Sequence, residues 1–243
     1  MFVLAAAAVA LVAGAVASVA GFGIGSLLTP LFASRLGVQA AVVVVSVPHF
    51  AATVLRAWRL RASIDRTVLV RFGVASAAGG LAGALLHGRI HSPALGVVFG
   101  CLLVFAGLMG ATGLSKKMRF GRRTAWLAGV VSGGFGGLVG NQGGIRSAAL
   151  LGFDVSREAF VATGTAVGVV VDLARLPVYL ATGWRDVARA WPLALATTAS
   201  VLVGTLAGEK VLRRIPEAAF RTVVSLVIAA LGVFMLVRYV SGS

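Results

Sequence analysis

The chain has 243 residues, of which 59% are hydrophobic and 12% charged, with a mean hydropathy of +0.99. A soluble domain carries roughly 25% charged residues, so this composition excludes a soluble enzyme, a disordered tail and a secreted disulfide scaffold, and leaves an integral membrane protein. The 22 Lys and Arg against 7 Asp and Glu give a net charge of +15, which must be placed against a bilayer before it is read as a nucleic-acid signature.

The N-terminus, MFVLAAAAVALVAGAVASVAG, lacks the positive start of a signal peptide and is read as a first membrane segment. A spanning helix needs about 20 mostly apolar residues. The apolar stretches run 2–33, 38–57, 68–88, 93–114, 124–151, 159–183, 190–208 and 217–240. They predict an all-α, multi-pass bundle of seven or eight segments in the cell (inner) membrane.

The polar break at 56–71 holds Arg56, Arg59, Arg61, Arg66 and Arg71. That at 115–123 holds Lys116, Lys117, Arg119, Arg122 and Arg123. Basic loops stay cytoplasmic, and two spans separate these two, so both assignments agree. They absorb ten of the 22 basic residues, and no nucleic-acid partner is expected. The loop 87–93 then lies outside. His87 and His91 there have metal-ligand spacing, but Gly88 and Pro93 break the helix and no third ligand is near, so no metal is expected. Cys101 is the only cysteine, which excludes an internal disulfide. No Walker motif, nucleophile elbow or His-Glu-x-x-His helix occurs, so neither a cofactor nor a catalytic residue is expected.

The sequence repeats internally. An offset of 119 places Gly21 on Gly140, Gly25 on Gly144, Leu31 on Leu150, Ala40 on Ala159, Ser46 on Thr165 and Arg56 on Arg175. Pro93 and Pro216 each precede a final apolar run. The division expected is a first transmembrane repeat at 1–114, a basic cytoplasmic linker at 115–123 and a second repeat at 124–243. Each repeat starts with a Gly-broken helix. Four crossings per half make the repeats parallel; three, with the broken stretch re-entrant, make them inverted. The second-half charges nearly tie, and inversion is the expectation.

Three or four glycines within a few residues unwind a span, since each costs a helix roughly 1 kcal/mol relative to Ala. Broken backbone at membrane depth must be buried or line a wet cavity, and half-helix N-termini aimed at one spot form an anion site. Paired Gly-interrupted segments in two halves point to a transporter site. The bland alternative is tight helix packing. Small-xxx-small pairs such as Gly79/Gly83, Gly96/Gly100 and Gly204/Gly208 are read that way, or as faces for a homo-oligomer.

The doubled motif, with Gly21, Gly23, Gly25 and Pro30 in the first copy, resembles the TauE/SafE sulfite exporter family over nearly the whole chain. The second copy departs from the family pattern at Asn141-Gln142, at Arg146 and at Ala149, where Pro is usual. Gly152-Phe-Asp-Val-Ser-Arg-Glu-Ala159 resembles the family's link into the next span. The resemblance implies transport of small sulfur-containing or related organic anions.

Polar residues inside apolar runs complete the candidate site. A buried charge costs at least ~2.5–3.5 kcal/mol at the bilayer centre and faces the bundle interior or a cavity. Arg146 follows the amides of Gly143 and Gly144, and its fork suits an oxyanion. Asp172 and Arg175 share a helix face, as an intrahelical salt bridge or as an anion ligand with a gating acid. Arg56 sits at the mouth of a basic loop and is read as snorkelling. His49 either couples to protons or bonds the carbonyl freed by Pro48. Asn141 and Gln142 offer neutral donors. The substrate-binding set is thus Gly21, Gly23, Gly25, Asn141, Gln142, Gly143, Gly144, Arg146 and Arg175, with His49 and Asp172 coupling or gating. The expected activity is secondary export of a small anion by alternating access. A passive anion channel and a non-transporting membrane assembly factor are the alternatives.

Overall fold

The computed structural model describes the chain except residues 22, 91–92, 114–121, 141–142, 144–145, 147–149, 151–152, 154, 213–216 and 242–243, and omits side-chain detail at a few helix ends. Among the described residues the regular structure is helical: α1 (Phe2–Ala20), α2 (Ile24–Leu36), α3 (Val38–Arg59), a 3-10 turn (Arg61–Ser63), α4 (Arg66–His87), α5 (Ala94–Ala111), α6 (Arg122–Val139), α7 (Arg157–Arg189), α8 (Trp191–Leu212) and α9 (Glu217–Val240). Seven of these, α1, α3, α4, α5, α7, α8 and α9, are long and apolar enough to cross a membrane, and α6 contributes the shorter apolar stretch Trp126–Val139. The bundle is inside-out relative to a soluble protein: Leu4, Val70, Leu127, Leu195 and Val223 face outward, each more than half exposed. Hydrocarbon is the solvent such faces need.

The first apolar stretch is two helices. Gly21 ends α1 in the left-handed region at φ 78°, with its N–H on the Ala17 carbonyl at 3.0 Å. Gly23, at φ 128°, precedes α2. Only Gly takes such angles without strain. The chain then doubles back. The Phe2 and Phe32 rings lie 6.4 Å apart, and the Arg35 guanidinium sits 5.3 Å from the Phe2 ring. The start of α1 therefore meets the end of α2, and the pair is a hairpin with both ends on one side. α6 ends in the same way at Gly140, φ 74°, whose N–H reaches the Gly136 carbonyl at 3.0 Å.

Helix pairing interlocks the halves. α1 packs along α8, where a Cβ on Gly204 would strike the Leu11 backbone and one on Gly208 would strike Ala15. α6 packs along α4, where Gly133 lies against Ser76 and Gly137 against Gly80. Both pairs run parallel. The remaining counterparts face each other antiparallel. Along α5 and α9, Gly96 meets Tyr239, Gly100 meets Leu236 and Gly107 meets Ala229. Along α3 and α7, His49 meets Asp172 and Val43 meets Gly183. Helices of equal rank in the two halves thus run in opposite directions. A parallel repeat would have α5 and α9 running the same way. The small-residue faces are consumed within the chain, as expected of packing motifs.

Local chemistry sets the helix ends. Asp65 caps α4 by accepting from Val68 N at 2.9 Å, and its own N–H donates to Thr163 Oγ1 at 2.9 Å, tying the basic loop to α7. Ser156 caps α7 through Ala159 N at 3.2 Å. α7 has 33 residues and a non-helical residue at Gly183. At 1.5 Å per residue it is about 50 Å long, longer than the ~30 Å hydrocarbon core, so the part after the kink lies at the interface. Trp184 and Trp191 sit there, 58% and 61% exposed, while Trp58 and Trp126 stand at the opposite ends of the bundle, 66% and 51% exposed. Two exposed indoles at each end form the aromatic belts of a membrane protein.

Candidate functional site

The two glycine breaks meet at the centre. A Cβ on Gly25 would lie 2.6 Å from the Gly140 carbonyl oxygen, so the close approach of the two backbones requires Gly there. Around this crossing lies a small cavity of about 20 Å³, lined by Ala17, Gly21, Gly23, Ile24, Gly25, Ser26, His49, Thr53, Arg56, Gly140, Gly143 and Arg146. That space admits about one water-sized sphere, so a four-atom oxyanion enters only when the walls part. The first turn of α2 starts at Ile24 and lines this cavity through Ile24, Gly25 and Ser26, so a helix N-terminus faces it.

Arg146 is 5% exposed. Its Nη2 donates to the Gly21 carbonyl at 3.4 Å, and its Nη1 has no hydrogen-bond partner among the described residues. Arg56 is 6% exposed. Its Nη1 donates to the Ala17 carbonyl at 2.8 Å, and its Nη2 to the Gly21 carbonyl at 3.2 Å and to Thr165 Oγ1 at 3.4 Å. Arg56 therefore does not snorkel to the cytoplasmic surface. It turns inward because the C-terminal end of α1 carries the negative end of the helix dipole and attracts a cation. The Gly21 amide is committed to the α1 cap, so this residue offers the site a carbonyl rather than a donor.

Behind the cavity wall stands a buried ionic cluster. Asp172 Oδ1 accepts from Arg175 Nε at 2.9 Å and Nη2 at 2.7 Å, and Oδ2 faces His49 Nδ1 at 2.8 Å. Arg175 Nη1 donates to the Gly136 carbonyl, and the guanidinium carbon lies 5.6 Å from the Tyr179 ring. Tyr179 donates to the Gly137 carbonyl. The intrahelical Asp172–Arg175 bridge thus exists, and Arg175 spends its donors on Asp172 and on the end of α6. His49 bonds a carboxylate rather than the carbonyl freed by Pro48, which leaves Nε2 as the ring nitrogen on the cavity side.

Gly21, Gly23, Gly25, Gly143, Arg146 and His49 are therefore brought together around the cavity, with Asp172 and Arg175 directly behind. Asn141, Gln142 and Gly144 lie outside the described residues. Thr53, Thr165, Ser26 and Tyr179 went unnoticed in the sequence. Thr53 and Tyr179 each had a signal, since they stand four residues after His49 and Arg175, on the same helix faces. His87, buried at the end of α4, faces the Leu138 carbonyl at 2.8 Å and the Gln39 carbonyl at 3.2 Å, so it joins three helices.

His49 is open to a pH test. Flux into vesicles of methanesulfonate, an anion that keeps one charge throughout, is expected to depend on pH in the wild type, and His49→Gln is expected to flatten that dependence. A profile that survives the substitution unaltered removes His49 from any proton path.

Comparison with curated proteins and with solved structures gives no match. The model of one protein family, described as sulfite exporter TauE/SafE, matches residues 6–235. The match covers Gly21, Gly140 and the buried ionic cluster, the five inner candidate spans in full and most of the first and last. The chain belongs to the TauE/SafE sulfite exporter family, and with it to the membrane transporters of small anions.

Proposed function

We propose that the protein is a secondary carrier of the cell (inner) membrane that exports a small oxyanion, such as sulfite, a sulfonate or a related organic acid, by alternating access around the crossing of the two glycine breaks. The observation that carries this reading is Arg146: a buried guanidinium whose Nη1 has no hydrogen-bond partner among the described residues, set beside a helix N-terminus at a cavity wall. A buried charge without a partner is costly, and an arriving oxyanion relieves that cost while accepting charge-assisted bonds. With the basic loops cytoplasmic, the α1–α2 hairpin opens outward, and α6, which follows the second basic segment, enters from inside. Rocking the α1–α2 hairpin against α6 exposes the same site to either face. An inside-negative potential contributes about 2.3 kcal/mol per elementary charge per 100 mV, which drives an anion outward.

The test is flux of labelled sulfite in vesicles containing the purified chain. Saturation and counterflow are expected of a carrier. Linear flux without exchange identifies a passive channel instead, and no flux at all alongside a stable co-purifying protein identifies an assembly factor.

A further inference from the structure

The offset of 119 residues that aligns the two glycine turns also aligns their surroundings. Arg56 falls on Arg175, and Ala17 on Gly136. Each arginine donates Nη1 to the carbonyl four residues before its positive-φ glycine, Arg56 to Ala17 and Arg175 to Gly136. The same offset places Thr53 on Asp172 and His49 on Gly168. In the second half a carboxylate joins the arginine to an imidazole, giving the triad His49–Asp172–Arg175. In the first half Thr53 stands at the carboxylate position, 2% exposed and lining the cavity. Gly168, lacking a side chain, admits another group: a Cβ there would lie 2.9 Å from Arg146 Nη1 and 3.1 Å from Thr53 Cγ2. Arg146 thus fills the place that His49 takes across the pseudo-symmetry axis. The second triad therefore reads Arg146–Thr53–Arg56, two cations flanking a threonine, and no carboxylate pairs with either arginine among the described residues.

We infer that the transported oxyanion binds between Arg146 and Arg56, over Thr53, in the position that the Asp172 carboxylate occupies in the other half. The inference rests on the carrier reading and assigns its ligands. Both guanidiniums hold the Gly21 carbonyl, Arg56 Nη2 at 3.2 Å and Arg146 Nη2 at 3.4 Å. An oxyanion is a stronger acceptor than a carbonyl, so it completes the first half's counterpart of the Asp172–Arg175 pair, in which Arg175 bonds the carboxylate and still holds the end of α6 through Nη1. In the second half that anion, the Asp172 carboxylate, is built into the chain beside Arg175. The site therefore takes a compact anion that offers one oxygen to each guanidinium.

Thr53→Asp tests this with the full chain in detergent, sodium sulfite as probe at constant ionic strength, and thermal denaturation as readout. The new carboxylate stands three residues before Arg56, as Asp172 stands before Arg175. Without sulfite the variant is expected to be at least as thermostable as the wild type. Its sulfite affinity is expected to fall on the order of a hundredfold, the scale of setting like charge against like charge. Wild-type affinity for sulfite overturns the inference, as does a lower melting temperature of the folded variant without sulfite. If Thr53→Asp does not fold, Arg56→Lys decides: it keeps the charge and loses the fork, so a fall of about tenfold or more in sulfite affinity is expected, and no change overturns the assignment. Failure of the carrier reading is separately visible, because the wild type then gains no stability from sulfite, sulfate, methanesulfonate or acetate. The melting temperature of Thr53→Asp without anion still decides the inference in that case.

Discussion

Arg146→Ala is expected to weaken sulfite binding by roughly ten- to a hundredfold and to reduce saturable flux accordingly, while the protein remains folded. The size follows from losing one or two charge-assisted hydrogen bonds at about 1.5–3 kcal/mol each, with 1.4 kcal/mol per factor of ten. The sign on stability follows from the surroundings. Arg146 makes a single long bond to Gly21 and leaves Nη1 unpartnered among the described residues. Arg56 shares that acceptor. Removing one of two neighbouring buried cations relieves repulsion, so the melting temperature without anion is expected to hold or rise. Titration calorimetry with sulfite and vesicle flux check the first part, and thermal denaturation the second. Unchanged sulfite affinity removes Arg146 from the site.

The opposite pattern is expected for Asp172→Ala. The carboxylate is 1% exposed and Arg175 is 2% exposed. Truncation leaves Arg175 buried without its counter-charge and His49 without its anchor. Breaking a buried pair from one side costs about 3–5 kcal/mol, a large share of the stability of most proteins. The variant is expected to melt well below the wild type whether or not sulfite is present. Asp172→Ala combined with Arg175→Met is expected to recover much of that loss, because removing both charges removes the stranded cation. A single variant that melts like the wild type shows that water reaches Arg175 and that the cluster is not a sealed latch.

These two arginines also mark how far the sequence could be read. The membrane class, the all-helical fold and the glycine turns were legible because hydropathy and positive φ are local properties. Gly21 and Gly140 carry them in their own residue type. Burial of Arg146, Asp172 and Arg175 followed from charges stranded in apolar runs. Arg56 was misplaced, since a chain-end arginine beside a basic loop looks the same whether it snorkels outward or turns in to cap α1. The deciding partner, the Ala17 carbonyl, is backbone and leaves no mark in the residue pattern. The link from His49 to Asp172 spans 123 positions, and no spacing rule announces it. Thr53 carried only its spacing from His49, and its place opposite Asp172 follows from the 119-residue offset.

The exchange of helices between halves has a consequence for how the chain is built. α1 finds its packing surface in α8, and α6 finds its surface in α4. During synthesis the first hairpin therefore waits in the bilayer until residues 191–212 emerge, its glycine face covered only by lipid or by helper proteins. Contacts this distant in sequence are slow to form. Neither half holds a finished surface of its own, so the two behave as one cooperative unit, interlaced like an antiparallel dimer joined end to end.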